Sequence, residues 1–118
     1  MDISFILSAD EILTLISLMP GQTGPGKKFC DEALPNAVIC DLTGLIDKKL
    51  ARMVGDELEL APVIHMVADA VARATSAELL GETWEVHSPW ISLQCETYPF
   101  REGDWRITPL KYEEAATP

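Results

Sequence analysis

Apolar residues recur at helical spacing in some stretches of the chain and alternate with polar ones in others, and each change of period marks an element. Residues 2–7 (DISFIL) are a brief apolar run that reads as a strand. Ser8-Ala9-Asp10-Glu11 follows as a capping box: the Ser8 hydroxyl accepts from an N–H of the first turn, and Glu11 reaches back to the Ser8 amide. Ile12, Leu15, Ile16 and Met19 continue at helical spacing until Pro20-Gly21 stops the helix. Residues 21–28 (GQTGPGKK) read as a flexible surface loop, and residues 29–34 as a helical turn broken by Pro35. Residues 36–42 are expected to resume as a helix burying Val38, Ile39 and Leu42, with Gly44 as its C-cap.

The period then becomes alternating. Ala51 and Met53 face one side, and Leu50, Arg52 and Val54 the other. Beyond Gly55-Asp56, Leu58 and Leu60 alternate with Glu57 and Glu59. Glycine at the first central position suits a two-residue type II′ hairpin. Pro62 opens a long helix, since the first helical position has no use for an N–H. Its stripe of Val63, Met66, Val67, Ala70, Val71 and Ala74 predicts a spine for the core, running to Leu80 and ended by Gly81.

The last third predicts an antiparallel β-meander: strands over 83–87 (TWEVH), 90–97 (WISLQCET) and 105–110 (WRITPL). Trp84, Val86, Ile91, Leu93, Cys95, Trp105 and Ile107 share a buried face, and Glu85, His87, Ser92, Gln94, Glu96 and Arg106 the other. The expectation is therefore one α+β domain over residues 1–110: an N-terminal helix, a winged-helix-like middle with a β-hairpin, a long spine helix and the meander. Residues 111–118 (KYEEAATP) read as a frayed polar tail.

Composition sharpens this picture in one respect. Nineteen acidic against nine basic residues leave a formal charge of -10, which works against a nucleic-acid partner, whose phosphates need Lys and Arg. The acidity suits solubility or a basic protein partner. Cys30, Cys40 and Cys95 cannot all pair within one chain and none lies in a CxxC, which favours buried thiols in a reducing cytoplasm. The start of the chain lacks the basic region of a signal peptide, and no apolar run approaches the ~18 residues of a membrane span.

Candidate chemistry is sparse. His65 falls on the long helix, where a core or boundary position is expected, and His87 on a strand, where it is solvated. Neither spacing demands a nucleophile–base pair. No HxH, HExxH or CxxC gathers a metal site, and the glycines of residues 21–28 lack the Lys-Ser/Thr of a phosphate-binding loop. Asp56, Glu57 and Glu59 read as a wet hairpin face. These features predict no enzyme, cofactor or metal.

If the winged-helix rhythm served DNA, its recognition helix would lie at residues 36–43, where only Asn36 suits a base edge. Lys48, Lys49 and Arg52 on the hairpin face Glu57 and Glu59. A regulator that binds DNA weakly is thus the alternative to a protein-binding module. Among the tryptophans, Trp84 and Trp105 are expected in the core. Trp90, on the outer register, is the candidate anchor for a partner, with Ser92, Gln94 and Glu96 as its rim.

The opening ISFILSADEILTLISLM, the later LTGLI before a hairpin, the helix APVIHMVADAVARA and the closing strands ending WRITPLKYEEA resemble, in order and pattern, one repeat of the EspG-like proteins. These are cytosolic chaperones associated with type VII (ESX) secretion, built from two related halves. The resemblance implies an α+β protein that holds a secreted helical partner soluble before export, with a homodimer supplying the missing half. It transfers no site residues.

Overall fold

The computed structural model describes residues 4–110. Strand β1 (Phe5–Ser8) leads directly into helix α1 (Ala9–Ser17). The expected capping box is present: the Glu11 amide donates to the Ser8 hydroxyl at 3.0 Å, and the Ser8 amide to the Glu11 carboxylate at 2.9 Å. Residues 2 and 3 of the expected first strand, and the tail from Lys111, lie outside the described residues.

Residues 21–28 are not a loop throughout. Helix α2 (Gly24–Ala33) begins within them, capped by Thr23, whose hydroxyl accepts from the Gly26 amide at 3.2 Å. The same hydroxyl donates to the Ala74 carbonyl at 2.6 Å and the Thr23 amide to the Ala72 carbonyl at 2.8 Å, so one residue starts α2 and fixes it to the chain at residues 72–74. A Cβ at Gly26 would overlap the Val71 carbonyl oxygen. This glycine therefore serves close approach, and the flexibility expected of it is absent. Phe29, fully buried, then meets both Trp84 and Trp105 edge-on, at ring-centre distances of 5.4 and 6.1 Å.

Residues 36–42 form no helix. They run beside α1 as irregular chain, with Val38 and Ile39 exposed where burial is expected. The short helix α3 (Thr43–Asp47) follows, so Gly44 lies inside a helix and caps none. Strands β2 (Ala51–Val54) and β3 (Glu57–Leu60) form the expected hairpin, a two-stranded sheet of its own. Gly55 has φ +64° and Asp56 does not cross to positive φ, as a type II′ turn requires.

Helix α4 (Pro62–Ala72) ends eight residues before Leu80, and after a short turn strand β4 (Ser76–Leu80) occupies the end of the stretch expected as helix. Its buried residues are Ile64, Val67, Ala68, Ala70, Val71 and Ala72; Met66, expected in the stripe, faces out. Strands β5 (Thr83–His87), β6 (Ser92–Thr97) and β7 (Asp104–Leu110) complete an antiparallel five-stranded sheet in the order β1-β7-β6-β5-β4. The architecture is α+β. Trp84, Val86, Leu93, Cys95, Trp105 and Ile107 are buried on the helix side, and Ile91 is half-buried. Among the described residues no helix is long and apolar enough to cross a membrane.

Candidate functional site

The sheet brings three catalytic residue types together that the spacing did not reveal. His87 and Ser92 are cross-strand partners, with His87 Nδ1 2.7 Å from the Ser92 hydroxyl, and Glu85 lies two residues before His87 on the same face. Yet the Glu85 carboxylate stands 3.6 Å from His87 Nε2, beyond the distance at which it would orient the ring. Ser92 is only 5% exposed. As it stands, the contact ties β5 to β6. Among the described residues, no group of three or more His, Cys, Asp or Glu is arranged to hold a metal.

The four residues expected to receive a partner separate. Trp90 is 62% exposed, in the bend between β5 and β6. Gln94 is exposed on the outer face. Glu96 is half-buried and faces Arg106 at 3.6 Å. Ser92 is covered rather than on the rim, because its hydroxyl turns to His87. His65, expected at the core or its boundary, is exposed at the start of α4.

The larger unpaired apolar surface lies elsewhere, around the hairpin. Met53 pairs with Leu58, and Ala51 with Leu60, so these four share one hairpin face. Two open grooves meet on it. One, of about 610 Å3, runs between β3 residues Leu58, Glu59 and Leu60 and the opposite wall of Leu18, Met19 and His65. The other, of about 430 Å3, is bounded by Leu18, Ile39, Leu42, Ile46, Met53 and Leu58, with Asp41 its one charged group. Leu18 and Leu58 belong to both. Leu18 is 50% exposed, Ile39 60% and Met53 54%, so water covers apolar side chains that neighbour one another.

Hydrogen bonds hold the walls of these grooves in place. Asp10 and Thr14 stand one turn apart on α1, a rise of about 6 Å, close to the ~6.6 Å spanned by two residues of extended chain. They therefore meet alternate amides: Val38 donates to the Asp10 carboxylate at 3.0 Å, and Cys40 to the Thr14 hydroxyl at 2.9 Å. The segment is pinned to α1 while Val38 and Ile39 stay in solvent. At the hairpin base, Lys48 Nζ donates to the buried Glu11 carboxylate at 2.8 Å and to the Ile6 carbonyl at 3.1 Å. A Cβ at Gly44 would meet the other oxygen of the same carboxylate, so a side chain there would require Glu11 to shift.

The groove's charge is one-sided. Asp41 lines the smaller groove and Glu59, whose carboxylate holds Arg52, the larger, and neither is lined by lysine or arginine. Arg52, the nearest candidate for a phosphate contact, gives its guanidinium to Glu59 at 2.6 and 2.9 Å. Of the thiols, Cys95 is pushed up to about 12 by burial. Cys30 is raised by burial and by Asp31 beside it, against a hydrogen bond from Gln22. Both stay protonated and inert, whereas Cys40, in the groove wall, is partly exposed. Compared with protein-family models, with curated proteins and with solved structures, the chain matches none.

Proposed function

We propose that this chain is a non-enzymatic protein-binding, chaperone-like module, and that the paired grooves around the hairpin receive its partner. The observation that carries the reading is the exposed surface of Leu18, Ile39, Ile46 and Met53 around the half-buried Leu58, held open by the Asp10, Thr14 and Glu11 contacts. Exposed apolar patches rimmed by polar residues mark interaction sites. Acidic groups at its margin and a net charge of -10 suit a cationic partner.

The association with type VII secretion rests on the sequence resemblance alone. On this reading the module works in a reducing cytoplasm, where its three thiols persist. The outer sheet face with Trp90, Gln94 and Glu96 is the lesser candidate surface: its other exposed aromatic, Phe100, packs on Tyr98, which lies under Arg106, and Glu96 faces the same arginine. The alternative, a winged-helix regulator with weak DNA binding, draws on the order α3-β2-β3. Against it stand the irregular chain at residues 36–42 and the engagement of Arg52 by Glu59.

Co-purification from native lysate tests the proposal. A protein retained by the wild type and by Trp90→Ala, and lost with Met53→Asp or Leu18→Asp, is the expected result. Retention of nucleic acid that falls steeply with salt would reverse it.

A further inference from the structure

The hairpin offers more than apolar side chains. A two-residue turn makes Val54 and Glu57 the hydrogen-bonded pair that closes it. The alternation then gives Arg52 with Glu59 as the next such pair and Leu50 with Ala61 after that; the last is observed, the Ala61 amide donating to the Leu50 carbonyl at 2.9 Å. The amides and carbonyls of Leu58 and Leu60 must therefore point away from β2. Among the described residues no hydrogen bond takes them up. They face the larger groove, whose wall is made by those same β3 residues.

Resting on the protein-binding reading above, we propose that the outer edge of β3 accepts an extended segment of a partner as a third strand. The segment alternates apolar residues with lysine or arginine. A strand laid beside β3 continues its two faces. On one, its side chains join Met53, Leu58 and Leu60 and face Leu18. On the other, they stand beside Glu57 and Glu59. Glu57 lies across from Val54, with no cation opposite it, and Glu59 has Arg52 on its inner side only. Cross-strand neighbours of opposite charge stabilise a sheet and like charges oppose it, which selects a cationic segment. A second copy of this chain fits poorly, since pairing β3 with β3 would bring two sets of Glu57 and Glu59 together. The addition also completes the hairpin, because two strands alone are marginal and a third supplies the missing support. The free edge of β4 lacks these features: Leu79 and Leu80 are adjacent and point to opposite faces.

The probe is a short synthetic peptide alternating valine and lysine, set against a scrambled peptide of the same composition. Hydrogen exchange of the full chain is followed residue by residue. The alternating peptide should slow exchange at the Leu58 and Leu60 amides, leaving Glu59, already bonded to β2, little changed. N-methylation of every second peptide amide in one register should weaken binding about tenfold or more, and in the other register leave it near the parent value. Equal binding by the scrambled peptide, equal loss in both registers, or binding without protection at Leu58 and Leu60 would overturn strand addition. So would failure of the alternating peptide to bind. A partner lost on Met53→Asp alongside any of these failures would leave the groove reading standing and remove only the strand.

Discussion

The Lys48 ammonium lies 2.8 Å from the Glu11 carboxylate, and this contact joins the first helix to the base of the hairpin. Glu11 is buried and already serves the capping box, so one oxygen receives both the Ser8 amide and the lysine. Glu11→Gln keeps an acceptor for the cap but removes the charge. Because Lys48 is partly exposed, the loss should be modest, about 1 kcal/mol. Glu11→Ala leaves the Ser8 hydroxyl capping the helix but removes both the acceptor of the Ser8 amide and the lysine's partner, and should cost about 2 kcal/mol. Urea unfolding of the two variants measures the difference.

Gly26→Ala should destabilise by roughly 1–3 kcal/mol, because the new methyl meets the backbone carbonyls of Val71 and Ala72, which cannot rotate aside. The neighbouring Gly24 has open space around its Cβ position, so Gly24→Ala is the matched control and should stay near wild type in thermal melts.

Cys95 predicts a loss of stability in alkali. Burial holds its thiol near 12 in the folded chain, against 9.0 ordinarily. The unfolded state ionises first, so the contribution is fully present below about pH 9 and is lost as pH climbs towards 12. Three units correspond to a loss of about 4 kcal/mol at most. Cys95→Val should flatten the fall in urea midpoint between about pH 8 and about pH 11 relative to wild type. Equal slopes would contradict the burial argument.

Thiol labelling at neutral pH should follow exposure. Cys40 should react first, Cys30 slowly and Cys95 only on unfolding, since access and thiolate fraction set the rate. Peptide mapping after timed alkylation gives the order. A partner seated in the groove should also protect Cys40, which lies in its wall.

What the sequence disclosed depended on whether a local rule faced competition. The capping box at Ser8 and Glu11, the Gly55-Asp56 turn and the two faces of the meander follow from short-range chemistry and were legible. Residues 21–28 look like a loop because glycine and proline commonly mark loops. Here Thr23 caps, Pro25 sits in the first turn, and Gly26 is small for the sake of α4. Residues 36–42 have helical spacing, but Asp10 and Thr14 draw two of their amides away to α1. β4 is masked by the apolar pattern of the preceding helix, although Gly81-Glu82 repeats the Gly-acid turn of the first hairpin. The candidate groove was hidden for another reason: it joins Leu18, Ile39 and Met53, distant in sequence and individually ordinary. Trp90 alone stood out from its residue type.

Photo-crosslinking in cells tests the groove most directly, with a photoreactive residue replacing Met53 in one variant and Gln94 in the other. The account predicts a discrete protein adduct from position 53 and none from position 94. Adducts from position 94 alone, or none from position 53 while the variant remains folded, would contradict it.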